Sequence, residues 1–156
     1  MRSTVYIETT IPSLLTANLS SDVVVLARQI TTRRWWDERR GSFDLRTSEL
    51  VAAEASQGDP SAAARRLKVI DPIESLPLDP TITSLANRVA VDLDLPTKAL
   101  ADSVHIAVCL FHRVDYLLTW NCRHIANASH QTKIRRIASE VNLPCPVICT
   151  PDELLS

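Results

Sequence analysis

Short apolar runs that contain strand-forming residues alternate with longer segments of helical character along this chain. The runs are TVYI at 4–7, FDLRT at 43–47, DYLLTW at 115–120, PVIC at 146–149 and a weaker one, IESLPL, at 73–78. Brief runs of this kind are typical of buried strands. Strands that alternate with helices indicate a parallel sheet covered on both faces. The pattern therefore predicts an α/β fold with a short parallel sheet.

Proline after a capping residue marks the start of several helices. Asp59-Pro60, Asp79-Pro80 and Thr150-Pro151 each place an N-cap before a proline in the first turn. Glu153 lies three residues after Thr150, the spacing of a capping box for a short terminal helix. The helices are predicted at residues 20–40, 48–57, 60–69, 80–92, 97–112 and 129–141. Because no repeat or linker interrupts this order, residues 1–156 are expected to form a single domain.

Composition narrows the class of protein. The net charge of -1 gives no general attraction to nucleic acid, so any such binding must be local. The only glycines, Gly41 and Gly58, belong to no phosphate-cradling loop, which disfavours the glycine-rich nucleotide-binding folds. Cys122 and His124 lack a second pair at zinc-finger spacing, and the four cysteines form no CxxC motif. Without a signal peptide or long apolar run, the protein is expected to be cytoplasmic, with no membrane partner.

Carboxylate and amide side chains fall where the predicted elements meet. Glu8 ends the first buried run, and its charge there requires a hydrogen-bonding or positive partner. Asn121 follows YLLTW, Glu54 lies on the helix after FDLRT, and Asp102 lies early in the helix after Pro96. Ligands of open α/β sheets bind at the carboxyl ends of the strands. We therefore expect Glu8, Glu54, Asp102 and Asn121 to converge on one pocket.

Such a group of acids favours a divalent cation. Neighbouring carboxylates repel one another unless a positive charge neutralises them. Oxygen ligands suit Mg2+ or Mn2+, and these ions promote displacement at phosphorus. The natural reaction for this group is therefore phosphodiester hydrolysis.

Four segments, taken in order, carry a resemblance to a known family. They are YIETTIPSLL, TSELVAAEASQGD, TKALADSVHIAVC and DYLLTWNCRHIAN, and together they extend over most of the chain. The sequence resembles a PIN domain, and more narrowly the VapC-like toxins of type II toxin-antitoxin pairs. The resemblance implies a three-layer α/β/α sandwich and a Mg2+- or Mn2+-dependent endoribonuclease. It also implies an RNA substrate, an antitoxin partner and a homodimer.

The resemblance assigns roles to individual residues. The metal-binding acids fall on Glu8, Glu54 and Asp102, and Asn121 occupies the fourth catalytic position, where family members commonly carry aspartate. Thr9, Ser48 and Thr119 are expected to support these side chains. Glu49 is a rival to Glu54 only if the helix is rotated, and helix capping is the alternative role for Thr9.

Two departures from the family pattern leave a second hypothesis open. Glu8 replaces the usual aspartate, and Asn121 carries no charge, so three carboxylates remain instead of four. The alternative is a catalytically weakened PIN-like module that has a regulatory role and binds RNA or protein. A phosphohydrolase that forms a phosphoaspartate is disfavoured, because no DxD follows the first strand.

Three further residues have more than one interpretation. His105 lies one turn after Asp102, but its apolar neighbours favour a hydrogen-bonded, half-buried histidine outside the catalytic set. Of Trp35 and Trp36, at least one is expected in the core. The other is a candidate for a dimer or antitoxin contact.

Overall fold

Five strands form one parallel sheet with the first strand of the chain at its centre. A computed structural model describes all 156 residues of the protein. Its strands are β1 (Thr4–Ile7), β2 (Asp44–Ser48), β3 (Glu74–Leu76), β4 (Tyr116–Leu118) and β5 (Val147–Cys149). Their order across the sheet is β3-β2-β1-β4-β5, and every neighbouring pair is parallel. The predicted α/β class and parallel sheet are confirmed, and each strand overlaps a predicted run.

Seven α-helices connect the strands. They are α1 (Thr10–Thr16), α2 (Val23–Glu38), α3 (Glu49–Ala55), α4 (Pro60–Ile70), α5 (Pro80–Asp92), α6 (Leu100–Phe111) and α7 (Ala128–Glu140). Single 3-10 turns occupy Arg40–Ser42, Thr97–Ala99 and Pro151–Leu154. None of the helices combines the length and the apolar character needed to span a bilayer.

The proline-marked helix starts lie where the sequence predicts them. The carboxylate of Asp59 accepts a hydrogen bond from the Ala62 N–H at 2.9 Å, and that of Asp79 accepts one from the Thr81 N–H at 2.8 Å. These bonds satisfy amide groups that a helix start leaves unpaired. After Thr150 the chain forms a 3-10 turn, in which Glu153 accepts a hydrogen bond from the Thr150 N–H at 2.8 Å.

Helix α1 is absent from the predicted set. Its sequence, TIPSLLT, begins with a β-branched pair and a proline, which are poor helix formers. Pro12 is nevertheless tolerated because it lies in the first turn, where its missing N–H has no intrahelical partner to lose. The burial of Ile11 and Pro12 holds this short helix in place.

Alternating side chains of the central strands build a separate core on each face of the sheet. Tyr6 of β1 and Leu117 of β4 join a large cluster with residues of α3, α5, α6 and α7. Val5, Ile7 and Leu118 point the other way and pack with Ile11 and Trp35 of α1 and α2. Helices thus cover both faces, and the fold is a three-layer α/β/α sandwich. Trp35 is fully buried and Trp36 is half-buried, so the expectation of one core tryptophan is confirmed.

Candidate metal centre

The carboxyl ends of β1, β2 and β4 bring polar side chains to one edge of the sheet. Glu8 follows β1 directly, Ser48 is the last residue of β2, and Thr119 follows β4 directly. The Glu8 N–H donates a hydrogen bond to the Leu118 carbonyl at 3.2 Å, so the strand ladder continues to the acid itself. The backbone that carries Glu8 is therefore fixed on its β4 side.

Glu8 is only 4 % exposed, and hydroxyl and amide donors offset its burial. Its Oε2 accepts hydrogen bonds from the Thr119 hydroxyl at 2.8 Å, from the Thr10 N–H at 3.0 Å and from the Thr10 hydroxyl. Its Oε1 accepts none from the protein. One oxygen therefore anchors the carboxylate, while the other remains available to a ligand. Neutral N–H and O–H donors therefore stabilise the buried charge of Glu8, and no lysine or arginine binds this carboxylate.

Glu54 reaches the same edge from α3 and is held by two donors. Its side chain is 33 % exposed, and its Oε1 accepts a hydrogen bond from the Thr9 hydroxyl at 2.6 Å. The same oxygen lies 2.7 Å from Nε2 of His105. Burial alone would raise the pKa of Glu54, but the hydrogen bonds from His105 and Thr9 outweigh it and lower that pKa. Glu54 is therefore ionised at neutral pH.

The structure separates Glu54 from its rival and corrects the alternative role of Thr9. Glu49 is exposed to solvent at the start of α3, away from the hydrogen bonds that hold Glu54. Thr9 occupies the N-cap position of α1, but its side chain makes no capping hydrogen bond. The capping interpretation is wrong, because the hydroxyl of Thr9 is committed to Glu54 instead.

A buried chain of hydrogen bonds supports Glu54 from behind. Nδ1 of His105 lies 2.7 Å from the Tyr6 hydroxyl, which lies 2.7 Å from the Ser48 hydroxyl. Ser48 is the N-cap of α3, and its Oγ accepts a hydrogen bond from the Val51 N–H at 3.4 Å. The chain therefore runs from the first turn of α3 through the core and back to Glu54 of the same helix.

The donors in this chain have one fully satisfied arrangement. The ionised Glu54 only accepts, so Nε2 of His105 carries a proton and donates to it. With neutral His105, the Tyr6 hydroxyl donates to Nδ1 and the Ser48 hydroxyl donates to Tyr6. A protonated ring would leave the Ser48 hydroxyl hydrogen without an acceptor. Burial, followed by the field of Cys109, raises the pKa of Tyr6 well above its ordinary value, so the phenol keeps its proton.

The burial of His105 differs from the expectation. His105 was expected to be half-buried, whereas its exposed fraction is 0 %. One donor atom each of Glu8, Glu54 and His105 lie within 4.8 Å of one another, as in a metal site. Both ring nitrogens of His105 are already occupied by Glu54 and Tyr6, so the ring positions Glu54 and direct coordination would break that bond. The sequence signal for this role was its spacing of one turn from Asp102.

Asp102 and Asn121 form a neighbouring pair outside this group of three. Burial raises the pKa of Asp102, and the neighbouring Asn121 amide opposes this rise without cancelling it. Asn121 is held in turn, since its Oδ1 accepts a hydrogen bond from the His124 N–H at 3.0 Å. Its own N–H donates to the Thr119 hydroxyl at 2.9 Å. Thr119 thus contacts both Glu8 and the backbone of Asn121.

A cavity of about 400 Å³ opens beside Glu8 and Glu54. Its other lining residues are Thr9, Thr10, Ser13, Leu14, Arg28 and Trp120. The presence of Arg28 was not anticipated from the sequence, which placed no basic residue among the acids. A second cavity of about 460 Å³ lies against α5 and α6, but its walls are mainly apolar and contain no acid. The acidic cavity is therefore better suited to a cation than this apolar one.

Comparisons with known proteins add no identification. No protein-family model, curated protein or solved structure matches this chain. The interpretation of the site therefore depends on its own residues and geometry.

Proposed function

We propose that this protein is a Mg2+- or Mn2+-dependent endoribonuclease of the PIN-domain kind, and the toxin of a type II toxin-antitoxin pair. The observation that supports this most directly is the pair of carboxylates, Glu8 and Glu54, whose oxygens approach within 4.8 Å at the carboxyl edge of the sheet. Neither is paired with a lysine or arginine. Two adjacent carboxylates without a basic partner favour a bound cation.

The donors present fit a hard divalent cation. Oε1 of Glu8 has no protein partner, Glu54 is ionised at neutral pH, and Asp102 lies close enough to Glu54 for its pKa to respond to that charge. Oxygen ligands of this kind suit Mg2+ and Mn2+. When bound, such a cation neutralises phosphoryl oxygens and lowers the pKa of a water molecule. Glu8, Glu54 and Asp102 are the residues that would hold it.

The protein's other side chains orient the carboxylates that would hold the cation. Thr10 and Thr119 orient Glu8, while Thr9 and His105 orient Glu54, so both carboxylates are placed before a substrate arrives. Asn121 supplies a polar amide beside Asp102 that favours the ionised form of that carboxyl group. The antitoxin and the homodimer belong to the same proposal and follow from the family resemblance, and a cytoplasmic location is proposed with them.

The test is cleavage of a mixed-sequence RNA by the purified protein, with Mn2+ or Mg2+ compared against EDTA. We expect metal-dependent cleavage that is lost in Glu54→Gln and in Asp102→Asn. Glu49→Gln is the matched control, because Glu49 lies on the same helix but is exposed and away from the cavity. Cleavage that persists in EDTA, or in both site variants, would rule out the proposed metal site.

One observation favours the second candidate function, a PIN-like module that binds RNA or protein without cleaving. Asn121 contributes no charge, and its Oδ1 already accepts a hydrogen bond from His124. The discriminating measurement is the melting temperature with and without Mn2+, because a ligand that binds only the native state stabilises it. An increase that Glu8→Gln and Asp102→Asn abolish, together with RNA cleavage, supports the nuclease. The same increase without cleavage supports the binding module.

A further inference from the structure

Arg28 is a cation beside the acidic cavity that pairs with none of its acids. It lies on α2, is half-buried and lines the cavity together with Glu8 and Glu54. Its guanidinium makes no hydrogen bond and no ion pair with any carboxylate of the protein. Its contact is instead with an aromatic ring, since its Cζ lies 5.2 Å from the centroid of Trp120. The donor groups of Arg28 are therefore unused within the protein.

Trp120 provides a fixed platform for this guanidinium. Its Nε1–H donates a hydrogen bond to the Thr32 hydroxyl at 2.7 Å, one turn along α2 from Arg28. Its backbone N–H donates to the Thr10 hydroxyl at 2.8 Å, and that hydroxyl in turn donates to Glu8. The ring is therefore fixed relative to both α2 and the candidate metal ligand.

A guanidinium held over an aromatic face is suited to bind an anion. Contact with the ring orients the group, while the N–H donors in its plane remain free for bidentate bonds to phosphate. The surrounding cavity, at about 400 Å³, lies within the usual size range of small-ligand sites. A phosphate bound by Arg28 would lie next to the carboxylates without competing for them.

We propose that Arg28 and Trp120 form a phosphate-binding subsite for a nucleotide adjacent to the bond that is cleaved. This inference rests on the proposed function, because it assigns the carboxylates to the reacting phosphate and Arg28 to a neighbouring one. It narrows the substrate class to polynucleotides, since a mononucleotide offers only one phosphate group to the two sites. Trp120 then orients Arg28 and presents apolar surface to the adjoining nucleotide.

The test measures binding of a short fluorescein-labelled single-stranded RNA by anisotropy in EDTA, where no metal-dependent cleavage occurs. We expect Arg28→Gln to weaken binding roughly tenfold and to reduce the slope of log K against log salt by about 0.7, the contribution of one phosphate contact. Arg34→Gln is the matched control, because Arg34 lies on the same helix but is exposed and paired with Glu38. Arg28→Lys keeps the charge, so we expect it to retain the salt slope while losing part of the affinity.

Further arms identify the source of the phosphate. Inorganic phosphate and a nucleoside monophosphate are expected to compete weakly, whereas unlabelled RNA competes fully. If single-stranded DNA binds and the Arg28→Gln variant loses that binding, the subsite is supported. Any preference for RNA over DNA then comes from another contact. A nucleoside monophosphate that binds as tightly as the RNA would overturn the assigned substrate class. Arg28→Gln with the affinity and salt slope of Arg34→Gln would overturn the subsite.

Failure of this inference differs from failure of the proposed function. If Arg28→Gln leaves RNA binding unchanged while metal-dependent cleavage is intact, the subsite is rejected and the nuclease function is retained. RNA binding that depends on Arg28, without metal-dependent cleavage by the wild-type protein, removes the nuclease and retains a phosphate-binding surface. The Mn2+-dependent melting shift, measured on Arg28→Gln as well, separates a lost phosphate contact from a damaged metal site.

Discussion

The acidic edge has two halves that the surrounding protein holds very differently. The anchored half consists of Glu8 and Glu54, whose oxygens accept five hydrogen bonds in all from Thr9, Thr10, Thr119 and His105. The open half consists of Asp102 and Asn121, and the Asn121 amide lies beside the acid and favours its ionised form. The anchored carboxylates are thus preorganised, whereas the Asp102 carboxylate has fewer donors to fix it.

Opposite pKa shifts express the same difference. Donors around Glu54 outweigh its burial and lower its pKa, whereas burial of Asp102 outweighs its donors and raises its pKa. Two acids of one site therefore differ in how strongly their charged forms are supported. Partial burial alone therefore does not set the pKa of a carboxyl group, because the number of donors that face it decides the direction of the pKa shift.

The largest expected effect, under the proposed nuclease function, compares a carboxylate of the anchored half with the neutral amide of the open half. We expect Glu54→Gln to lower the single-turnover rate of RNA cleavage by more than about a hundredfold, because it removes a preorganised ligand charge. Asn121→Ala is expected to lower it only about tenfold, since it removes a neutral supporting group. A greater loss in Asn121→Ala than in Glu54→Gln would reverse the assignment of the two halves.

The next effect concerns the buried hydrogen-bond chain behind the anchored half. His105→Ala leaves a cavity and removes the partners of Tyr6 and Glu54, so we expect a loss of about 3 kcal/mol in the free energy of unfolding. Tyr6→Phe removes the central hydroxyl and is expected to cost about 1–3 kcal/mol. Urea unfolding measures both.

Tyr116→Phe is the matched control for Tyr6→Phe. Tyr116 lies on the adjacent strand β4 and is half-buried, but its hydroxyl takes no part in the chain. We expect this variant to change stability by less than about 0.5 kcal/mol. Equal losses in the two tyrosine variants would show that the chain contributes nothing beyond packing.

A smaller loss is expected from the hydroxyl that joins the two halves. Thr119→Val removes a donor to Glu8 and the acceptor of the Asn121 N–H, with little change in shape. We expect a loss of about 1–2 kcal/mol in urea unfolding. Thr132→Val, at an exposed position of α7, serves as the control and should be close to neutral. A neutral Thr119→Val would mean that the two halves are structurally independent.

The smallest expected effect is a difference in the pH dependence of stability. Because the pKa of Glu54 is lowered on folding, ionised Glu54 adds to the free energy of unfolding. This contribution is present above the unfolded pKa of about 4.3 and is lost as pH falls through the folded pKa. Because the pKa of Asp102 is raised on folding, protonated Asp102 adds to the free energy of unfolding. This contribution is present below the unfolded pKa of about 3.9 and is lost as pH rises through the folded pKa.

Paired variants measure this contrast. The difference in unfolding free energy between wild type and Glu54→Gln should increase with pH between about 3 and 6, and that between wild type and Asp102→Asn should decrease. Urea titrations at a series of pH values provide both differences. Slopes of the same sign would contradict the inferred contrast between the two acids.

The sequence predicted the sheet and most helices because their signals are local. Apolar runs marked the strands, and Asp-Pro pairs at 59–60 and 79–80 marked helix starts. Helix α1 escaped prediction because its stability comes from the burial of Ile11 and Pro12 against other elements. Tertiary packing, absent from any local pattern, overrides the poor intrinsic propensity of its first turn.

The sequence predicted that Glu8 and Glu54 meet at one edge, whereas Asp102 and Asn121, expected in the same pocket, lie beside them and do not line the cavity. The positions of Glu8 and Asn121 followed from the rule that parallel strands end at one edge. The contact between His105 and Tyr6 joins residues 99 positions apart, and no spacing pattern encodes it. The position of Arg28 above Trp120 likewise depends on how α2 lies across the sheet, so its role required the folded chain.

The central position of β1 has a consequence for how the protein folds. This strand precedes the other four in the chain, yet one of its two neighbours, β4, and the hydroxyl that meets Glu8 come from residues more than 100 positions later. Glu8 and Thr119 are 111 positions apart. Closing so long a loop costs chain entropy before the contact forms, and contacts of this kind slow folding. A nascent chain therefore carries Glu8 without its Thr119 donor until synthesis passes Thr119. The acidic edge is therefore completed only after residue 119 has been made.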